Sequence, residues 1–222
     1  ARLYVPTRFP KPAEPAHPAA VSDLAARCAQ ALGGRTFVLT TTLRSLQQIG
    51  PALRQQLAAD GIQVFVQGEA PKRAMLAQFL AAPRGVLVGS HSFWEGIDVP
   101  GDALQCVLID KLPFPPPNDP LVEARSRQLE AEGGNAFNDY FIPETAIALK
   151  QGAGRLIRSE TDRGLLVVCD PRLAQMGYGR RLRAALPPMT VLKEEVLALA
   201  WLRELADAHG ADRAPSGPAA PV

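Results

Sequence analysis

TFVLTTTLRSLQQIGPALRQQLAADGIQVFV, Thr36 to Val66, is the stretch on which the fold turns. Thr36 to Thr41 is a short β-branched and apolar run, the composition of a strand. A helix follows from Leu43 to Ala59, with Pro51 expected to bend or split it because proline lacks the N–H that the helical ladder needs. Gly61 ends that helix, and Ile62 to Val66 is a second strand. The unit is strand, helix, strand. The same alternation continues in both directions. Val21 to Leu32 reads as a helix capped near Ser22 and stopped by Gly33 and Gly34. Further strands are expected at Gly85–Val88, Leu104–Ile109 and Gly164–Cys169, and further helices at Pro71–Leu80, Leu121–Glu132, Pro143–Ile157, Gly179–Leu186 and Lys193–Ala208. Short, continuously apolar strands separated by helices mark a parallel sheet covered on both faces. The expectation is therefore one doubly wound α/β domain over residues 21–208, with a mostly parallel sheet and helices on both faces.

The two ends read differently. Residues 1–20 hold a short extended stretch, Arg2 to Pro6, followed by Pro10, Pro12, Pro15 and Pro18, and are expected to form an opening strand and a connector. Residues 209–222 are small and proline-rich and read as a flexible tail. The 222 residues are 47% hydrophobic and 21% charged, which excludes a mainly disordered chain. No apolar run approaches the roughly 20 residues of a membrane helix, and the N-terminus lacks the layout of a signal peptide, so no membrane partner and a cytoplasmic location are expected.

Formal net charge is only +2, so the whole chain is not a basic magnet for nucleic acid. Its positive charge is nonetheless 19 Arg against 5 Lys, and the planar guanidinium suits phosphate. GC-rich coding DNA produces the same bias, so the bias alone decides nothing. Cys28, Cys106 and Cys169 are widely spaced with no CxxC, and His17, His91 and His209 lie far apart. Buried free thiols and no metal site are expected.

Ligands of doubly wound folds sit at the carboxyl ends of the strands, and four segments there carry chemistry. In QGAGRLIRSETDRG, Gln151 to Gly164, a continuous helix would bring Gln151, Arg155 and Arg158 within about 60° of one another. Leu149, Ala153 and Leu156 would fall on the opposite, buried face. Gly152 and Gly154 each cost a helix roughly 1 kcal/mol relative to Ala, which suggests a close approach to the backbone. The ordinary alternative is an amphipathic helix with solvated arginines. In VLVGSHSFWEGIDVPGD, Val86 to Asp102, a strand end delivers Ser90 and Ser92, then Glu95, Gly96 and Asp98, groups suited to phosphate or ribose; Trp94 is equally a core plug or a stacking platform. TTTLRS, Thr40 to Ser45, sets hydroxyls at a helix N-terminus, a phosphate contact or merely a cap. IDKLPFPPPNDP, Ile109 to Pro120, is a rigid, extended surface path. There is no GxxxxGK[ST] loop, no acidic DExx box and no GxGxxG after a strand. An arginine-bearing helix without a phosphate loop is not a complete nucleotide-hydrolysing site; if it serves one, it would have to complete a site built elsewhere.

In this order, TTTLRS, GSHSFWEGIDVPGD, DKLPFPPPNDP and QGAGRLIRSETDRG resemble motifs of the second, RecA-like motor domain of DinG/XPD-type superfamily 2 DNA helicases. The resemblance covers Arg2 to about Ala208. It implies the C-terminal part of an ATP-dependent motor that moves on single-stranded DNA and unwinds duplex. Arg158, with Arg155, would be the arginine finger on ATP held with Mg²⁺ mainly by an N-terminal motor domain of the same polypeptide, and Gln151 would order the site. Gly96, Asp98 and Gly154 would lie on the nucleotide side. Thr40, Thr41, Thr42 and Ser90 would touch the backbone of single-stranded DNA. Asp162 would brace the turn after the arginines. Any iron–sulfur cluster would belong to the portion outside this chain, and a bacterial, nucleoid-associated location is implied. Two other readings compete: a stand-alone nucleic-acid-binding or protein-docking module, and a nuclease-associated ATP-driven translocase.

Overall fold

Parallel pairing runs through the whole described sheet. The computed structural model of the chain describes residues 1–90, 93, 99, 101–157 and 162–213, the side chains of 211–213 excepted. Among the described residues there are seven strands: β1 (Arg2–Tyr4), β2 (Thr36–Thr40), β3 (Gln63–Val66), β4 (Gly85–Ser90), β5 (Cys106–Ile109), β6 (Leu165–Val168) and β7 (Thr190–Leu192). They lie in the order β3-β4-β2-β5-β6-β1-β7, and each described pair is parallel. The mostly parallel sheet expected is wholly parallel here, and the Arg2 stretch is an interior strand between β6 and β7.

The α-helices among the described residues are α1 (His17–Leu32), α2 (Leu43–Leu57), α3 (Lys72–Ala81), α4 (Pro120–Ala131), α5 (Ile142–Ala153), α6 (Arg172–Gln175), α7 (Gly177–Ala184) and α8 (Glu195–Arg213). Successive strand side chains point to opposite faces, which builds two cores. Val38, Val88, Leu108 and Val167 pack with α1, α2 and α8. Phe37, Leu39, Ile109 and Val168 pack with α3, α5 and α7 on the other face. Cys28, Cys106 and Cys169 are buried, free thiols.

Several boundaries differ from expectation for physical reasons. Helix α1 begins at His17, inside the segment read as an extended connector, because Pro18 occupies its first turn, where a missing N–H costs nothing. Ser22 is not its cap; the Ser22 hydroxyl donates to the Pro18 carbonyl at 3.0 Å. Pro51 does not split α2, which runs unbroken through it. Helix α5 stops at Ala153, short of Ile157, and a π-helical turn, Phe137–Phe141, leads into it.

Between α6 and α7 the chain turns so tightly that a Cβ on Gly179 would stand 2.2 Å from the Leu173 carbonyl oxygen and 2.8 Å from its carbon. Gly179→Ala should therefore destabilise the domain. Overpacking of this kind costs about 1–3 kcal/mol, a fall in Tm of about 2–12 °C for a chain of this length. A thermal melt that matches the parent would show that the elbow opens freely.

Candidate functional site

Because every described strand runs the same way, all the carboxyl ends open on one edge. The β2–α2 connection arrives there as Thr40, Thr41 and Thr42. Thr40 is fully buried, and its hydroxyl donates to the Gly89 carbonyl of β4 at 3.4 Å, so it points into the sheet. Thr42 caps α2: its Oγ1 accepts from the Ser45 backbone N–H at 3.1 Å and lies 2.8 Å from the Ser45 hydroxyl. Thr41 is half-buried and Thr42 exposed. Ser90, at the end of β4, is buried, and its N–H donates to Gln67 Oε1 at 2.6 Å.

Two aspartates absent from the sequence expectations organise this edge. Asp110 follows β5 and is fully buried. Its carboxylate accepts from the Thr41 N–H at 2.9 Å and the Lys111 N–H at 2.8 Å, and the Lys111 ammonium lies 3.6 Å away. Burial pushes the Asp110 carboxyl above the usual range, and the Lys111 cation opposes that shift. The same ammonium donates to Ser45 Oγ at 3.2 Å, which ties the β5 loop to the α2 cap. Asp170 follows β6 and is equally buried. It accepts from the Leu112 N–H at 3.0 Å and holds the Arg172 guanidinium at 2.9 and 2.7 Å. Asp110 and Asp170 thus pin three strand-end loops in series. Their signal in the sequence is an acid set directly behind an apolar strand, in VLID and LLVVCD.

A groove of about 420 Å³ opens beside them, lined by Thr41, the Pro113–Pro116 segment, and Glu144, Ile147 and Gln151 of α5. Thr41 and Gln151, far apart in the chain, therefore share one wall-to-wall opening. Gln151 is exposed, whereas Leu149 and Ala153 of α5 and Leu156 in the turn beyond it are buried. Arg155 is half-buried in a tight turn beyond the helix, where its N–H donates to the Gly152 carbonyl at 3.2 Å. The single helical face expected for Gln151, Arg155 and Arg158 presumed a helix through Ile157, which the chain does not form. Gly154 has ordinary right-handed backbone angles, φ −65° and ψ −13°, with a prospective Cβ 3.2 Å from the Lys150 carbonyl. Its conformation does not by itself demand glycine. Arg158, Gly96, Asp98, Trp94 and Glu95 lie outside the described residues. Asp162 precedes β6 and so sits at the opposite, amino edge, beside Asp102, Gln105 and His209. Among the described residues, no group of three or more His, Cys, Asp or Glu side chains could hold a metal ion, and no helix is long and apolar enough to cross a membrane.

A wholly parallel, doubly wound sheet whose loops gather on one polar edge is the architecture of a RecA-like motor domain. A solved XPD helicase shares the fold, with a TM-score of 0.64 at 14% identity over 86% of this chain and 35% of that one. The chain belongs to the helicase C-terminal domain family, which matches residues 25–189. It is 46% identical over 154 residues to the ATP-dependent DNA helicase YoaA of Haemophilus influenzae, covering 69% of this chain and 24% of that protein. It is 39% identical over 208 residues to the ATP-dependent helicase DinG of Mycobacterium tuberculosis, covering 93% and 31%. The chain thus spans about a quarter to a third of the length of these curated relatives.

Proposed function

We propose that this chain is the second motor domain of an ATP-dependent DNA helicase, working on single-stranded DNA in the bacterial cytoplasm beside an N-terminal motor domain of the same polypeptide. The observation that carries the reading is the shared groove: it joins a threonine at a helix N-terminus to Gln151, the first polar residue of the arginine segment. A surface that reads phosphates from two motifs on one edge suits a domain that closes over nucleotide and grips a strand at once. ATP with Mg²⁺ supplies the phosphoryl group and its counter-charge, held mainly by the partner domain. From this chain, Arg158 and Arg155 supply cationic forks to the phosphates, and Gln151 helps order them. Gly96, Asp98 and Gly154 form the nucleotide side. Thr41 and Thr42 contact DNA phosphates, with Ser90 behind them, and Thr40 supports the loop from within. Asp110 and Lys111 hold the Thr41 and Thr42 loop in place.

A purified sample of the 222-residue chain tests this. ATP hydrolysis should be negligible, because the chain carries no GxxxxGK[ST] loop to cradle the phosphates. Binding to single-stranded DNA should be weak, indifferent to sequence and steeply salt-dependent, with log affinity falling by about 0.7 per phosphate contact for each decade of salt. Robust DNA-stimulated hydrolysis by the chain alone, or salt-insensitive binding to one preferred sequence, would overturn the reading.

A further inference from the structure

We infer that Phe137, Phe114 and Tyr178, flanked by the arginines of α7, form a stacking platform for the bases of single-stranded nucleic acid. The inference rests on the proposed function and extends it from phosphate to base. It starts from the proline-rich segment after β5, which walls the groove shared by Thr41 and Gln151. Those prolines fix the path of the chain around Phe114. The Phe114 ring lines the groove shared with Thr41 and Gln151, and also a second hollow of about 540 Å³ with Phe137 and Phe141. Phe114 and Phe137 stack with centroids 5.8 Å apart and planes 30° apart, and Tyr178 meets them edge-on at 6.0 and 5.3 Å.

Three rings joined in this way usually close a core. Here Phe137 remains 42% exposed. It opens the π-helical turn, a conformation that is rare and concentrates at functional sites. The charge around the rings selects the ligand. The Arg172 guanidinium lies 5.5 Å from the Phe114 ring centre. Helix α7 carries Arg180, Arg181 and Arg183 with no acidic residue, and Arg181 reaches Asn138, the neighbour of Phe137. The hollow is lined as well by Glu123, Arg127 and Glu130 of α4, of which Arg127 pairs with Glu123. A strand lying across the rings would set its bases against Phe114 and Phe137 and its phosphates toward Arg181, which reaches the residue next to Phe137. Aromatic faces with interleaved arginines bind single strands through stacking, which tolerates any base.

The test compares binding of the 222-residue chain to oligo(dT) and to an abasic oligonucleotide of equal length and charge, at low salt. The parent should prefer oligo(dT) by about 5- to 150-fold. Phe137→Leu should abolish that preference without changing the salt slope, and Phe137→Trp should retain it, with thermal melting recorded for both variants. Equal affinity of the parent for the two oligonucleotides would overturn the platform and leave phosphate recognition standing. No binding to either would overturn the proposed function itself. A Phe137→Leu variant that keeps the full preference would overturn the platform, since Phe137 is its exposed ring.

Discussion

On the proposed function, Arg158→Ala in a polypeptide that also carries the N-terminal motor domain should lower ATP hydrolysis on single-stranded DNA by about 10³–10⁵-fold, while nucleotide affinity and thermal stability change little. An arginine finger acts on charge that develops as the phosphoryl group transfers, so its loss falls on the rate and not on binding. The neighbouring buried residues, Leu149, Ala153 and Leu156, anchor the segment independently of Arg158. Arg158→Lys should recover little, since an ammonium cannot reproduce a planar fork of donors. Steady-state hydrolysis, nucleotide titration and melting of the two variants decide the matter. A loss below about tenfold with the fold intact would move the role to Arg155.

Asp170→Ala should destabilise the domain by about 1–3 kcal/mol, because the carboxylate is buried while its Arg172 partner is partly exposed, so the main cost is a buried N–H left without its acceptor. The buried Leu112 N–H would lose its acceptor, and the Arg172 guanidinium would lose the carboxylate that fixes it. In melting terms this is about 2–12 °C for a chain of this size. Asp170→Asn keeps an acceptor for Leu112 but not the charge, and should fall between the parent and the alanine variant. Urea unfolding with an unchanged m-value would attribute the loss to the native state. A change under 1 kcal/mol would mean that the loop after β5 is held by its prolines alone.

The sheet was legible where strands are apolar on both faces. TFVLT and CVLI are buried along their whole length, so composition alone marks them as strands. Strand β7 escaped notice because Thr190 and Val191 are exposed and two prolines precede it. The start of α1 was obscured by proline density: Pro18 is compatible with a first turn, but four prolines in a row of nine residues read as extended. The end of α5 escaped for the opposite reason, since the apolar spacing of Leu149, Ala153 and Leu156 continues smoothly past Ala153, where the helix gives way to a tight turn. Site legibility divides along similar lines. Hydroxyls and arginines in a dense motif stand out, and Thr41 and Gln151 do meet at one groove. The inward turn of Thr40 and the bracing by Asp110 and Asp170 depend on partners up to 69 residues away, which no local pattern records.

Strand β1 imposes an order of events on synthesis. It leaves the ribosome about 160 residues before β6 and later still before β7, yet it pairs with both. At about 5–20 residues per second it waits roughly 10–30 s for its neighbours. The β3-β4-β2-β5 half of the sheet can assemble from local strand–helix units during that interval. The β1 stretch remains an unpaired segment that a chaperone can hold and a protease can cut. Its docking closes the longest loop in the domain, and loop closure of that length is the slow step in topologies of high contact order.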